Sequence, residues 1–110
     1  MKRILICAAA ALAFLQAQAQ DWSQLRDLYR AGMYAETVSR LEGVDGAMAD
    51  GYRALCALQL GTENAYVQAQ HFMDNWPECV LVPQVRYLYA LDLFDRQRFE
   101  EALQQFNLLN

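Results

Sequence analysis

Two segments of this chain repeat one another in outline: LYRAGMYAETVSRL at 28–41 and LFDRQRFEEALQQF at 93–106. Laying residue 28 on residue 93 pairs Leu28 with Leu93, Tyr29 with Phe94, Tyr34 with Phe99, Glu36 with Glu101 and Leu41 with Phe106, an offset of 65. A second match, YRALCALQL at 52–60 against VRYLYALDL at 85–93, pairs Arg53 with Arg86, Leu55 with Leu88, Ala57 with Ala90 and Leu58 with Leu91 at an offset of 33, about half the first. A period of this length is that of a stacked helix pair, a unit that buries its apolar face only against a neighbour. One fold class follows, an all-α chain of antiparallel helix pairs.

The periodicity inside each segment is helical. Ala65, Ala69, Phe72, Met73 and Trp76 recur at i, i+4, i+7, i+8 and i+11, and Phe99, Ala102, Leu103, Phe106 and Leu109 form a similar stripe. Breaks fall where helix ends belong. Asp21 and Gln24 have capping-box spacing, Gly32 and Gly61 suit a left-handed helix end, and Thr62 is placed to cap the helix that follows. Pro77 and Pro83 bound a short linker, and Pro83 fits the first position of a helix, where its missing N–H has no intrahelical partner. This pattern predicts six helices, near 21–31, 34–42, 48–60, 63–76, 83–96 and 98–109, and no strand.

The first 19 residues have a different character. Lys2 and Arg3 precede an apolar run from Ile4 to Leu15, followed by the small residues Ala17 and Ala19. This is the layout of a secretory signal peptide cleaved after Ala19, and the run is shorter than the roughly 20 residues a spanning helix needs. An uncleaved N-terminal anchor is the alternative. Cys7 lies inside the apolar run rather than after it, which fits a lipoprotein signal poorly. The expected organisation is a signal peptide, 1–19, and a helical-repeat domain, 20–110, with units near 21–47, 48–82 and 83–110.

Without residues 1–19, the chain keeps seven basic residues against 13 acidic ones, a formal charge of −6. All seven cations are arginines, scattered along the chain, and Arg96 and Arg98 are flanked by Asp92, Asp95, Glu100 and Glu101. Nucleic acid is therefore not an expected partner, because phosphate binding needs clustered positive charge. Cys56 and Cys79 would meet an oxidising compartment after export. In the helical layout Cys79 lies past a helix end, displaced by about 9 Å along the axis from a mid-helix Cys56, whereas a bridge wants Cα atoms within about 7 Å. A buried, unbonded Cys56 is the expectation, with a disulfide as the alternative.

No enzymatic apparatus stands out. His71 is the sole histidine, and it is separated from Cys79 by a helix end and Pro77, with no third group to orient the pair. Glu100 and Glu101 are adjacent and point about 100° apart on a helix, which does not make a shared acid–base site. One histidine and two separated cysteines give no zinc spacing. No catalytic residue, metal or cofactor is expected.

The segments LYRAGMYAETVSRL and LFDRQRFEEALQQF resemble the turn and second helix of tetratricopeptide repeats, which favour an aromatic, a small residue three on and a large apolar residue four further. Gly32, Tyr34 and Leu41 fit in the first copy, with Thr37 where alanine is usual; Phe99, Ala102 and Phe106 fit in the last, with Gln97 in place of the turn glycine. The middle copy diverges most, and its first helix ends early at Gly61. Residues 71–106 resemble the exported variant of the repeat, found in periplasmic and outer-membrane-associated proteins, in which an aromatic–proline pair such as Trp76–Pro77 closes one repeat. The resemblance implies a short right-handed α-solenoid of about three repeats, exported to the periplasm or associated with the outer membrane.

In that family the first helix of each pair lines a concave groove. Carried over by position, the groove would present Trp22, Arg26 and Tyr29, then Ala54 and Leu58, then Tyr87, Leu91 and Phe94. Such a surface suits a peptide or helix of another protein. Two functional readings result. In one, the chain is a protein–protein interaction and scaffold module acting through its groove, with an envelope assembly as a possible partner. In the other, it is the N-terminal part of a longer helical solenoid with no independent activity, its last helix uncovered and open to self-association. On the second reading the last repeat leaves an apolar side uncovered, and Phe106→Asp is expected to solubilise the chain or make it monomeric.

Overall fold

The structure, a computed structural model, describes residues 21–109; the expected signal peptide lies outside them. The described residues form six helices and no strand: α1 Trp22–Arg30, α2 Tyr34–Arg40, α3 Ala47–Leu60, α4 Ala65–Asn75, α5 Val82–Asp95 and α6 Phe99–Asn107. Every boundary falls within two residues of the segment expected from periodicity.

Three helix ends close with the same hydrogen bond. After α1, Gly32 takes a φ of 80° and the N–H of Met33 reaches back to the carbonyl of Leu28 at 3.0 Å. After α3, Gly61 takes a φ of 69° and Thr62 bonds Ala57 at 3.2 Å; after α5, Gln97 takes a φ of 64° and Arg98 bonds Leu93 at 2.9 Å. This closure satisfies a carbonyl of the last turn that the helix itself leaves without a partner. Gln97 is the only non-glycine at positive φ among the described residues, so the turn is kept at the cost of a Cβ that crowds its own backbone.

The other caps depart from expectation in part. Asp21 accepts from the N–H of Gln24 at 3.2 Å, but the Gln24 side chain turns instead to Arg40, so half of the capping box forms. Thr62 does not cap α4. The residue in that place is Asn64, without a side-chain bond, because Thr62 still belongs to the turn that closes α3. Val82 precedes Pro83 in α5, which puts the proline one position later than expected and still in the first turn.

Packing follows the repeat. Thr37, Ala69 and Ala102 hold matching positions in the second helix of each pair, and all three are buried. The threonine hydroxyl is satisfied locally by donating to the carbonyl of Met33 at 2.7 Å, which is how a polar residue fits where the other copies have alanine. Each helix packs on its pair-mate; α3 also meets α2 and α5, and α4 meets α5. Helix α3 is the most buried, with Ala49, Gly51, Tyr52, Ala54, Leu55, Cys56 and Ala57 inside. Gly51 permits the closest approach: a Cβ there would lie 2.7 Å from Leu81 Cδ1 and 3.0 Å from Phe72 Cζ. Arg53 ties the first pair to the second, donating to the carbonyls of Leu41 and Val44 and to Asp50, whose other oxygen accepts from the Trp76 indole at 3.0 Å.

Two substitutions should move stability in opposite directions, read as urea midpoints by circular dichroism. Gly51→Val should cost roughly 1–3 kcal/mol by forcing Leu81 and Phe72 aside. Gln97→Gly should gain up to about 1 kcal/mol by relieving the left-handed backbone strain, less the extra freedom glycine adds to the unfolded chain.

Candidate functional site

Aromatic side chains of α1, α2 and α3 meet one another. The Tyr52 ring lies parallel to that of Trp22, with centroids 6.2 Å apart and planes at 9°, and meets Tyr29 edge-on at 5.9 Å. Tyr29 in turn packs on Tyr34 at 5.4 Å, and its hydroxyl accepts from Gln59 Nε2 at 3.1 Å. Offset and edge-on aromatic pairs add about 0.5–1.5 kcal/mol each beyond the area they bury. The rings together form one packed wall.

This wall borders a cleft of about 490 Å³. Trp22, Tyr29 and Tyr52 line it with Met48, and the linker before α5 closes it with Val80 and Leu81. Arg26 and Arg30, both exposed, stand one turn apart on its rim. Arg26 has only a 4.0 Å approach to Asp27, with both side chains open to water, and Arg30 has no ion pair with any described residue. Burial raises the pKa of the Tyr52 hydroxyl, while Arg26 and Arg30 pull it back down. Tyr29 is also raised, chiefly by burial, and the bond from Gln59 opposes the shift. The cleft thus joins an apolar aromatic floor to a positive rim on an acidic chain.

The residues expected to share one groove do not all meet here. Trp22, Arg26 and Tyr29 line the cleft; Leu58, Tyr87, Leu91 and Phe94 do not. Ala54 is a correction, since it is fully buried in the core face of α3 and presents nothing to a groove. Leu58 is half-buried against the core. Tyr87 meets Phe106 edge-on at 6.2 Å, and Phe94 meets Phe99 at 5.2 Å, on the far side of the molecule's helix order. Tyr52, Met48, Arg30, Val80 and Leu81 are among the cleft residues that periodicity missed. Tyr52 could have been found, since it precedes Arg53 in the repeated stretch where its counterpart is Val85, a departure toward a larger, polar-tipped ring.

Comparison with family models, curated proteins and solved structures finds no match.

What the cleft does must therefore be read from its own side chains. Among the described residues no three of His, Cys, Asp and Glu converge as they would to hold a metal ion, and no helix is long and apolar enough to cross a membrane. Cys56 and Cys79 are both free thiols; Cys56 is buried, and Cys79 points its thiol at the Met48 sulfur at 4.0 Å. Burial pushes the Cys56 thiol up to about 11 from its ordinary value near 9.

That shift sets a sign. The folded thiol stays protonated in a range where the unfolded one ionises, so folding stability is intact below pH 9 and falls between about 9 and 11. Urea midpoints should decline across that range, and Cys56→Ala should flatten part of the decline; the buried tyrosines will supply the rest. Iodoacetamide at pH 8, followed by mass spectrometry, should label Cys79 well before Cys56.

Proposed function

We propose that this chain is an exported helical-repeat interaction module, built as a short right-handed α-solenoid of the tetratricopeptide type, which holds a segment of another protein. The observation that carries this reading is the cleft between α1 and α3: three packed aromatic rings beneath two arginines that no carboxylate neutralises strongly. Support for the repeat comes from the helix ends, where hydrogen bonds recur at the 65-residue offset: Met33 to Leu28 matches Arg98 to Leu93, and Thr37 to Met33 matches Ala102 to Met33's counterpart, Arg98. Export rests on the basic, apolar and small-residue layout of residues 1–19.

The chemistry of the cleft selects its occupant. An apolar or aromatic side chain entering the floor loses water against Trp22, Tyr52 and Met48, and a carboxylate beside it meets Arg26 and Arg30. Planar guanidinium groups bind carboxylates through paired hydrogen bonds, more specifically than a lysine would. The preferred ligand is thus a short acidic segment with an aromatic or leucine anchor. Aromatic and arginine side chains are also those that most often dominate binding energy at interfaces.

Selection of a random peptide display library against the full chain tests this. Enriched peptides should combine an aromatic or leucine with at least one acidic residue, and their affinity should fall tenfold or more with Arg26→Glu plus Arg30→Glu and weaken as salt rises. Enrichment of basic peptides, or binding indifferent to the two arginines, would overturn the reading.

A further inference from the structure

The two walls of the α1–α3 cleft belong to different parts of the chain. Trp22, Arg26, Tyr29 and Arg30 stand on α1, whereas Val80 and Leu81 belong to the linker that follows the second helix pair. The width of the cleft therefore depends on what holds the linker down.

Three contacts do so, all at the start of α3. The Trp76 indole N–H donates to Asp50 Oδ2 at 3.0 Å, the Cys79 thiol meets Met48 Sδ at 4.0 Å, and Leu81 packs into the space over Gly51. Within the linker the Cys79 N–H donates to the Trp76 carbonyl at 3.1 Å and the Val82 N–H to the Cys79 carbonyl at 3.0 Å, so the segment is tied to itself as well as to α3. Val80, between Cys79 and Leu81, is 74% exposed and is the part of this wall that a ligand meets.

Asp50 carries the anchor further. Its Oδ1 accepts from Arg53 Nη1 at 3.0 Å, and Arg53 Nη2 donates to the carbonyls of Leu41 and Val44, which follow α2. One carboxylate thus links the linker, through Trp76, to the end of the first pair, through Arg53. The Asp50–Trp76 bond lies at the surface, where water can replace it, so it can open while the core face of α3 stays packed.

We propose, resting on the reading of the cleft as a site for an acidic, apolar-anchored segment, that Asp50 and Trp76 are positioning residues for that site. Closed, their hydrogen bond clasps the linker to α3 and holds Val80 and Met48 against the ligand. Open, it lets the linker leave α3 and weakens the site. A cleft that is competent only while the clasp is closed binds in proportion to the closed fraction, so loss of this one hydrogen bond lowers affinity roughly threefold to tenfold.

The test uses the full chain and, as probe, the tightest peptide from the display selection. Trp76→Phe keeps a ring at the linker and removes the indole N–H; Asp50→Asn leaves one acceptor oxygen for two donors. Each should weaken the peptide by about the factor given, read by fluorescence anisotropy. In the free proteins, iodoacetamide should label Cys79 several times faster than in the parent, while the buried Cys56 keeps its rate. That second readout separates the clasp from general destabilisation, which would speed both cysteines. Parent-like affinity in both variants, with Arg26→Glu plus Arg30→Glu still removing binding, would overturn the proposal and leave the cleft reading intact. An unchanged Cys79 rate, or Cys79 and Cys56 speeding up together, would overturn it as well. If no selected peptide depends on the two arginines, the cleft reading fails and takes the proposal with it.

Discussion

The packing of α3 is the constraint on which the rest of the structure depends. It reaches α1 through Tyr52, α2 through Arg53, α4 as its pair-mate and α5 by direct contact, leaving only α6 to be held at second hand. No pair in this chain can bury its apolar side alone, because a two-helix unit has too little interior. The close approach at Gly51 lets Phe72 and Leu81 fill the space that a side chain would take, so the second and third pairs are drawn onto the same helix. A single glycine and a single tyrosine thus fix the spacing on both sides of α3.

Much of this was legible in the amino-acid order, for a physical reason. Helix ends are local events: Gly32 and Gly61 mark left-handed closures by their lack of a Cβ, and Gln97 could be recognised as the odd member of the set before its φ was seen. The small residue of the second helix, Thr37, Ala69 or Ala102, is dictated by close contact and recurs accordingly. The site was less legible. Trp22 and Tyr87 occupy equivalent places in the repeat, as do Tyr29 and Phe94, and periodicity alone cannot say which pair is covered by a neighbouring helix. Ala54 failed as a groove residue for the same reason, since the side of α3 that carries it is buried. The linker residues Val80 and Leu81 carry no periodic signal at all, although they complete the cleft.

Cleft and exposed face are two consequences of one arrangement. Where α3 lies on the first pair it leaves a margin, walled by Trp22, Tyr29 and Tyr52, and the positive rim beside it contrasts with the negative charge of the chain as a whole. That contrast matters for encounter as well as affinity, because an acidic ligand repelled by the net negative charge of the chain is attracted at Arg26 and Arg30. At the other end the same construction recurs with Tyr87 and Phe94, and among the described residues no helix lies upon it. The ion pairs on the outer surfaces, such as Arg96 with Asp92 and Arg98 with Glu101, join neighbours on one helix and contribute little to either feature.

Native-state amide hydrogen exchange on the full chain tests the central role of α3 most directly. If α3 holds the pairs together, the amides of Leu55, Cys56 and Ala57 should exchange only through global unfolding, while those of α1 and α6 open at lower free energy. Exchange from α3 that is as easy as from α1 or α6 would contradict the account, because the pairs would then be stable without the helix that is held to join them.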